Sequence, residues 1–116
     1  IAESTLRDAQ DEAVAKSIKG NSDDRKKRLA IAPRLPARRE VISTVFLRNP
    51  DVIAEVLLRA AGTCELCKSP APFVRQSDGS PYLEVHHRLR LADGGEDTVD
   101  NALAICPNCH RRAHYG

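Results

Sequence analysis

The sequence predicts an α+β chain in two parts: a helical, basic amino-terminal arm over residues 1–48 and a compact strand–loop–strand–helix unit within residues 49–116. Three observations carry this. Two C-x2-C pairs, Cys64–Cys67 and Cys106–Cys109, frame the second part. Between and after them come two short runs suited to strands, a Gly-Gly turn and a proline-initiated helix. Charge then separates the two parts. Arg25 to Arg48 holds eight basic residues against Glu40 alone, a local +7, whereas Thr63 to the end holds six basic and seven acidic residues, a local −1.

Taken in order, Thr5 to about Lys19 is expected to be a helix, with Thr5 as cap, Asp8 at the third position and Leu6, Ala13, Val14 and Ile18 near one face. Gly20-Asn21 closes it, and Ser22-Asp23-Asp24 is expected to cap a further turn. Residues 25–40 combine basic charge with Pro33 and Pro36 and are expected to form an arm or connector. Val41–Leu47, rich in β-branched residues, is expected to be a short strand. Asn49-Pro50-Asp51 has the chemistry of a helix start, and that helix runs through Val52, Ile53, Val56 and Leu57 to Gly62. Beyond it, Cys64–Cys67 forms a knuckle and Ser77-Asp78-Gly79-Ser80 a turn. Tyr82–His86 is expected as a strand, Asp93-Gly94-Gly95 as a tight loop, Ala102–Ile105 as a second strand and Pro107–His114 as a final helix. No internal repeat is present.

The 116 residues amount to one domain or less, and the start at Ile1 rather than Met suggests a processed product or the tail of something longer. With two Phe, two Tyr and no Trp or Met, only a small core of Leu, Ile, Val and Ala can be built, so a metal or crosslink is expected to assist. No apolar run approaches the ~18 residues that span a bilayer, and no signal-peptide pattern opens the chain. A cytoplasmic protein with no membrane partner is expected, and in a reducing compartment paired cysteines favour metal over disulfide. A positive segment beside a nearly neutral one suits a polyanion, or is simply a solvated linker.

Each C-x2-C turn presents two thiolates to one ion, and two such turns close a tetrahedral site with no open position. Cys64, Cys67, Cys106 and Cys109 are therefore expected to hold a structural Zn²⁺, whose binding adds folding energy that the thin core lacks. The alternative is local redox or disulfide cysteines.

The stretch LEVHHRL poses a sharper question. In a regular strand adjacent side chains point to opposite faces, so His86 and His87 cannot both serve one face unless the strand ends there and the backbone turns. His110 and His114 stand at i and i+4 on the final helix, a spacing suited to chelating one ion. With the cysteines saturated by their own zinc, the histidines would form a separate site.

His86-His87, Asn101 and His110 with flanking C-x2-C pairs, within LEVHHRLRLADGGEDTVDNALAICPNCHRRAH, resemble the HNH endonucleases of the ββα-metal superfamily, above all restriction-type bacterial and phage members. The resemblance covers Cys64 almost to the end. It implies a small, treble-clef-like ββα-metal domain in which His86 binds a catalytic divalent ion and His87 is the general base. It implies further that His110 is a second ligand, that His114 completes the set, and that Asn101 holds the loop and the base in position. Both imidazoles would work together only if the strand ended at His86. Many relatives carry proline where Arg90 stands and Asp where His86 stands. The loop after the base is thus less rigid here or reaches for phosphate. An all-imidazole ligand set accepts Zn²⁺, Ni²⁺, Co²⁺ or Mn²⁺ and binds Mg²⁺ less naturally.

Phosphodiester hydrolysis needs a deprotonated water, a cation against the growing phosphate charge and help for the departing oxygen. Neutral imidazole, with an ordinary pKa of about 6.5, is poised to accept the proton. Arg88, Arg90, Arg111 and Arg112 are candidate phosphate contacts, and the lack of aromatic residues beside them argues for duplex DNA over a single-stranded RNA partner. A homodimer is one further option for the partners. The rival reading is a non-catalytic treble-clef zinc module that binds nucleic acid or protein. A third is the nuclease module of a larger restriction enzyme with recognition elsewhere.

Overall fold

The computed structural model describes residues 2–116. Its elements are α1 (Glu3–Lys19), α2 (Ser22–Ile31), α3 (Pro50–Ala60), β1 (Glu84–His87), β2 (Ala102–Ile105) and α4 (Pro107–Tyr115), with one 3-10 turn at Leu91–Asp93. The chain is α+β and divides into two compact units, one ending at Val45 and one spanning Phe46–Gly116.

In the first unit α1 begins two residues earlier than expected. Ala2 is its cap and offers no side-chain bond, so Thr5 lies inside the helix and does not cap it. Glu3 supplies the acidic first turn that suits the positive end of the helix dipole. At α2 the cap is Asn21, whose Oδ1 accepts from the backbone N–H of Asp23 (2.7 Å) and Asp24 (3.3 Å). The basic residues Arg25–Arg28 are consequently helical, so the segment expected as an arm or connector begins within α2. The helix stops at Ala32, whose extended backbone is what a residue before Pro33 adopts. Arg25 Nη1 donates to the carbonyls of Ser17 (2.7 Å) and Gly20 (3.1 Å), tying α2 to the unsatisfied end of α1. Neither helix buries a residue.

Val41–Leu47 forms no strand, contrary to expectation. Ile42 and Leu47 are 93% and 96% exposed. Branched side chains favour the extended backbone, but without a neighbouring edge to pair with, the segment has no ladder to join.

The second unit is built on α3. Asn49 caps it through Oδ1 to the Asp51 N–H (2.9 Å), and Pro50 fills the first turn. Val52, Val56 and Ala60, spaced by four, bury one face. The helix ends with Ala61 and Gly62 both left-handed. Its buried face belongs to one core with Cys64, Leu83 and all four residues of β2. β1 and β2 form an antiparallel pair in the register Glu84–Ile105, Val85–Ala104, His86–Leu103 and His87–Ala102. β1 therefore runs from Glu84 to His87, not from Tyr82 to His86, and does not end before the second histidine. The ladder bond geometry carries His87 as a strand residue opposite Ala102.

Between Thr63 and Tyr82 the chain makes a looped excursion. It is closed by isolated bridges at Thr63–Pro70 and Val74–Pro81 and by Phe73 stacking on Tyr82 at 4.6 Å. Arg59 on α3 reaches across to Glu65 in the first knuckle, with Nε and Nη2 each 2.8 Å from a carboxylate oxygen. It also donates to the carbonyls of Val99 and Ala102, while Glu65 Oε1 accepts from the Ala104 N–H. One ion pair thus joins helix, knuckle and sheet.

Candidate active site and metal centres

The knuckles are built by backbone geometry. In each, the N–H of the second cysteine points at the sulfur of the first, Cys67 to Cys64 Sγ and Cys109 to Cys106 Sγ, both at 3.5 Å. Lys68 takes the left-handed conformation that turns the chain out of the first knuckle, and Cys106 serves as the cap of α4. The two pairs meet: all four sulfurs lie within 4.8 Å of one another, with Cys67 and Cys106 Sγ at 3.9 Å. Four thiolates at ~2.3 Å from one tetrahedral ion would stand ~3.8 Å apart, so the cluster fits such an ion. Burial opposes ionisation of Cys64, but N–H groups of Cys106, Cys67 and Leu66 outweigh it and bring the thiol down to about 6. Cys109 is pushed up to about 12 by its hydrogen bond with Cys106, by burial and by the other sulfurs. Crowded thiols of this kind give up their protons to a cation.

The imidazoles gather apart from the sulfurs. Ring nitrogens of His86, His110 and His114 lie within 4.8 Å of one another. His86 comes from β1, and its ring centroid is 5.3 Å from each of the two rings on α4. Burial, then His110 and His114, lower the pKa of His86. Burial, then His110, Arg90 and Arg111, lower that of His114. Both shifts favour neutral rings with free lone pairs, the form that ligates a metal. Glu84, two residues before His86 and so on the same face of β1, has Oε1 2.8 Å from His110 Nδ1. Its Oε2 accepts from the Tyr82 hydroxyl at 2.6 Å, and this bond followed by that of His110 holds the carboxyl below its ordinary pKa. An ionised carboxylate on Nδ1 leaves Nε2 of His110 as the ligating nitrogen.

His87 faces the other way in the pleat and is buried, with Nε2 2.9 Å from Asp97 Oδ1. Both histidines nevertheless line one cavity of about 200 Å³, together with His110, His114, Arg48, Arg90 and the 3-10 turn. The cavity wraps the end of β1, so adjacent residues on opposite faces reach it without the backbone turning at His86.

The Asn101 side chain bonds to the loop and not to the His87 ring. Its Oδ1 accepts from the Leu89 N–H (2.9 Å), and its Nδ2 donates to the carbonyls of Leu89 (3.0 Å) and Glu96 (2.7 Å). The Arg88 N–H donates to the Asn101 carbonyl at 2.7 Å. The amide thus clamps both ends of the loop that follows His87. Gly95 completes the loop: a Cβ there would run into the Leu89 carbonyl, so only glycine allows this approach.

The four arginines do not share one place. Arg90 lines the histidine cavity and Arg88 is exposed beside it. Arg111 lies on the outer side of His110 and His114 with Glu84 and Tyr115. Arg112 lines a depression on the cysteine side with Leu66, Cys67 and Cys109. Sequence reasoning missed Glu84, which the two-residue period of β1 could have placed beside His86. It also missed Arg48, counted only as part of a basic run, and Asp97, which lies in an irregular loop with no periodic signal.

The sequence profile of the HNH endonuclease family matches residues 64–116. The type IV methyl-directed restriction enzyme EcoKMcrA of Escherichia coli K12 is 50% identical over 82 residues, which cover 71% of this chain and 29% of that protein. Pyocin-S2 of Pseudomonas aeruginosa is 40% identical over 50 residues, 40% of this chain and 7% of its own length. Anaredoxin of Nostoc is 36% identical over 31 residues, 27% of this chain and 41% of its own. Residues 64–116, which carry both ligand clusters, are the part of the chain that matches the HNH endonuclease family.

Proposed function

We propose that this chain is a restriction-type, metal-dependent endonuclease that hydrolyses phosphodiester bonds of double-stranded DNA. The observation that carries the reading is the buried His87 sharing one cavity with a three-imidazole cluster that the cysteines do not touch. Similarity to a methyl-directed restriction enzyme supports the choice of DNA as substrate.

In this reading Cys64, Cys67, Cys106 and Cys109 hold a structural Zn²⁺. It fixes the start of α4 and hence the positions of His110 and His114. When bound by His86, His110 and His114, a divalent ion (Mn²⁺, Ni²⁺, Zn²⁺ or, less naturally, Mg²⁺) supplies positive charge against the scissile phosphate. His87 accepts a proton from the attacking water as its oxygen bonds to phosphorus and the bridging P–O bond breaks. Asn101 keeps the loop after His87 closed, and Glu84 orients His110. Arg88 and Arg90 neutralise phosphates at the cavity, and Arg111 one on the outer side of His110 and His114. Arg112, on the cysteine side, contacts the backbone farther along the duplex.

A plasmid-nicking assay with added Mn²⁺ or Mg²⁺ tests the proposal. Wild type should cleave, and His87→Ala should lose about 10²–10⁴-fold in rate. DNA binding without cleavage by wild type would favour a non-catalytic treble-clef module. Equal cleavage by the variant would assign the base elsewhere.

A further inference from the structure

We propose that Asp97 is the positioning residue for His87, fixing its tautomer so that Nδ1 is the nitrogen that takes the proton from water. This rests on His87 being the general base, and it goes beyond that reading by naming the group behind it and the atom that acts.

The geometry is specific. Asp97 Oδ1 is 2.9 Å from His87 Nε2, and Oδ2 accepts the backbone N–H of Asn49 at 2.6 Å. Both carboxylate oxygens are therefore engaged, one by the imidazole and one by the residue that caps α3. The side chains are 5% and 23% exposed, so the contact is shielded from water on the histidine side. Asp97 reaches this place because Gly94 takes a left-handed conformation and Gly95 packs against Leu89, folding the loop back over the end of β1.

An ionised carboxylate only accepts, so Nε2 of His87 must carry the hydrogen and the lone pair of the neutral ring falls on Nδ1. Among the described residues Nδ1 makes no hydrogen bond, and no buried side-chain nitrogen or oxygen lacks a partner. Nδ1 is thus open to solvent, on a ring that lines the cavity. In the reaction the water proton moves to Nδ1, the water oxygen bonds to phosphorus, and the bridging P–O bond breaks, its electron pair leaving with the departing oxygen, which takes a proton from solvent. The resulting imidazolium keeps its Nε2–H on Asp97, which stays ionised throughout. A carboxylate behind an imidazole sets tautomer and orientation without itself taking the proton.

Nitrogen-15 NMR of the histidine rings at alkaline pH, where neutral rings report their tautomers, tests the contact without reference to cleavage. His87 in wild type should show the Nε2–H form. Asp97→Asn, whose amide offers one acceptor to two donors, should shift it toward Nδ1–H. In the nicking assay Asp97→Asn should lower kcat about 10–100-fold with KM for plasmid little changed, and Asp97→Glu should recover part of that loss. In a His87→Ala background Asp97→Asn should cost nothing further, because it acts through the missing ring. An Nδ1–H form in wild type would overturn the proposal, as would a loss of rate from Asp97→Asn that persists undiminished without His87. If Asp97→Asn does not fold, the wild-type tautomer alone decides. A wild type that does not nick would overturn the nuclease reading, while the tautomer would still decide the contact.

Discussion

The helices before Val45 and the unit from Phe46 onward come from one chain but are ordered by different means. In α1 and α2 no residue is buried, and Ile18 and Leu29 are 72% and 73% exposed. Their order rests on local devices: the Asn21 cap, the Glu3–Arg7 pair and the Arg25 bonds to the end of α1. In the later unit a small core of α3 and β2 is tied to two ligand clusters. Local devices are each worth about 0.3–1 kcal/mol and leave helices marginal, whereas a core closed by a crosslink can hold side chains to catalytic tolerance. Chemistry accordingly gathers in the later unit.

That contrast can be broken most severely at the sulfurs. Cys64→Ser, or stripping metal with a chelator, should unfold the later unit, a loss of several kcal/mol or more. NMR dispersion from residues 46–116 should collapse while α1 and α2 signals persist. Uniform loss across the chain would mean that the two units share their stability. Next in size, Gly95→Ala should cost about 1–3 kcal/mol through the blocked approach to Leu89 and should depress nicking more than melting temperature. Glu65→Ala should cost about 1–2 kcal/mol by freeing Arg59 and the Ala104 N–H, measured by chemical denaturation. Ile18→Ala should move stability by no more than about 0.5 kcal/mol.

Acid sharpens the same comparison. The hydrogen bond from Arg59 lowers the Glu65 pKa. That of Asp97 is lowered by the Asn49 N–H first and His87 second. Folded pKa values below the unfolded ones mean that this stability is complete above the ordinary carboxylate range, near pH 4, and is lost as pH falls through the lower folded values. Melting curves of wild type and Glu65→Gln between pH 6 and about pH 2 should therefore converge at the acid end. Parallel curves would contradict the assignment.

What was legible in the sequence follows from what was local. Asn49-Pro50-Asp51 announces α3 because capping chemistry is contained in three residues, and the two C-x2-C turns announce a shared cluster because each is a complete structural device. Val41–Leu47 misled because a strand requires a partner edge that no window of sequence displays. Thr5 misled because a cap is decided by where the backbone leaves the helix, and Ala2 does that here. The period of a strand implies that the histidine pair needs a break in β1. The cavity instead wraps the strand end, a shape that exists only once the loop is folded back by Gly95 and clamped by Asn101. Asp97 was invisible for the same reason, since its contact with His87 depends on that folded loop.

Cobalt(II) loading asks whether the imidazoles hold a metal ion independently of the thiolates. Two ions per chain are expected: one with the intense near-ultraviolet absorption of thiolate ligation, retained in a His86→Ala/His110→Ala variant, and one without it, lost in that variant. A single ion per chain, or loss of the thiolate absorption on removing the two imidazoles, would contradict that independence.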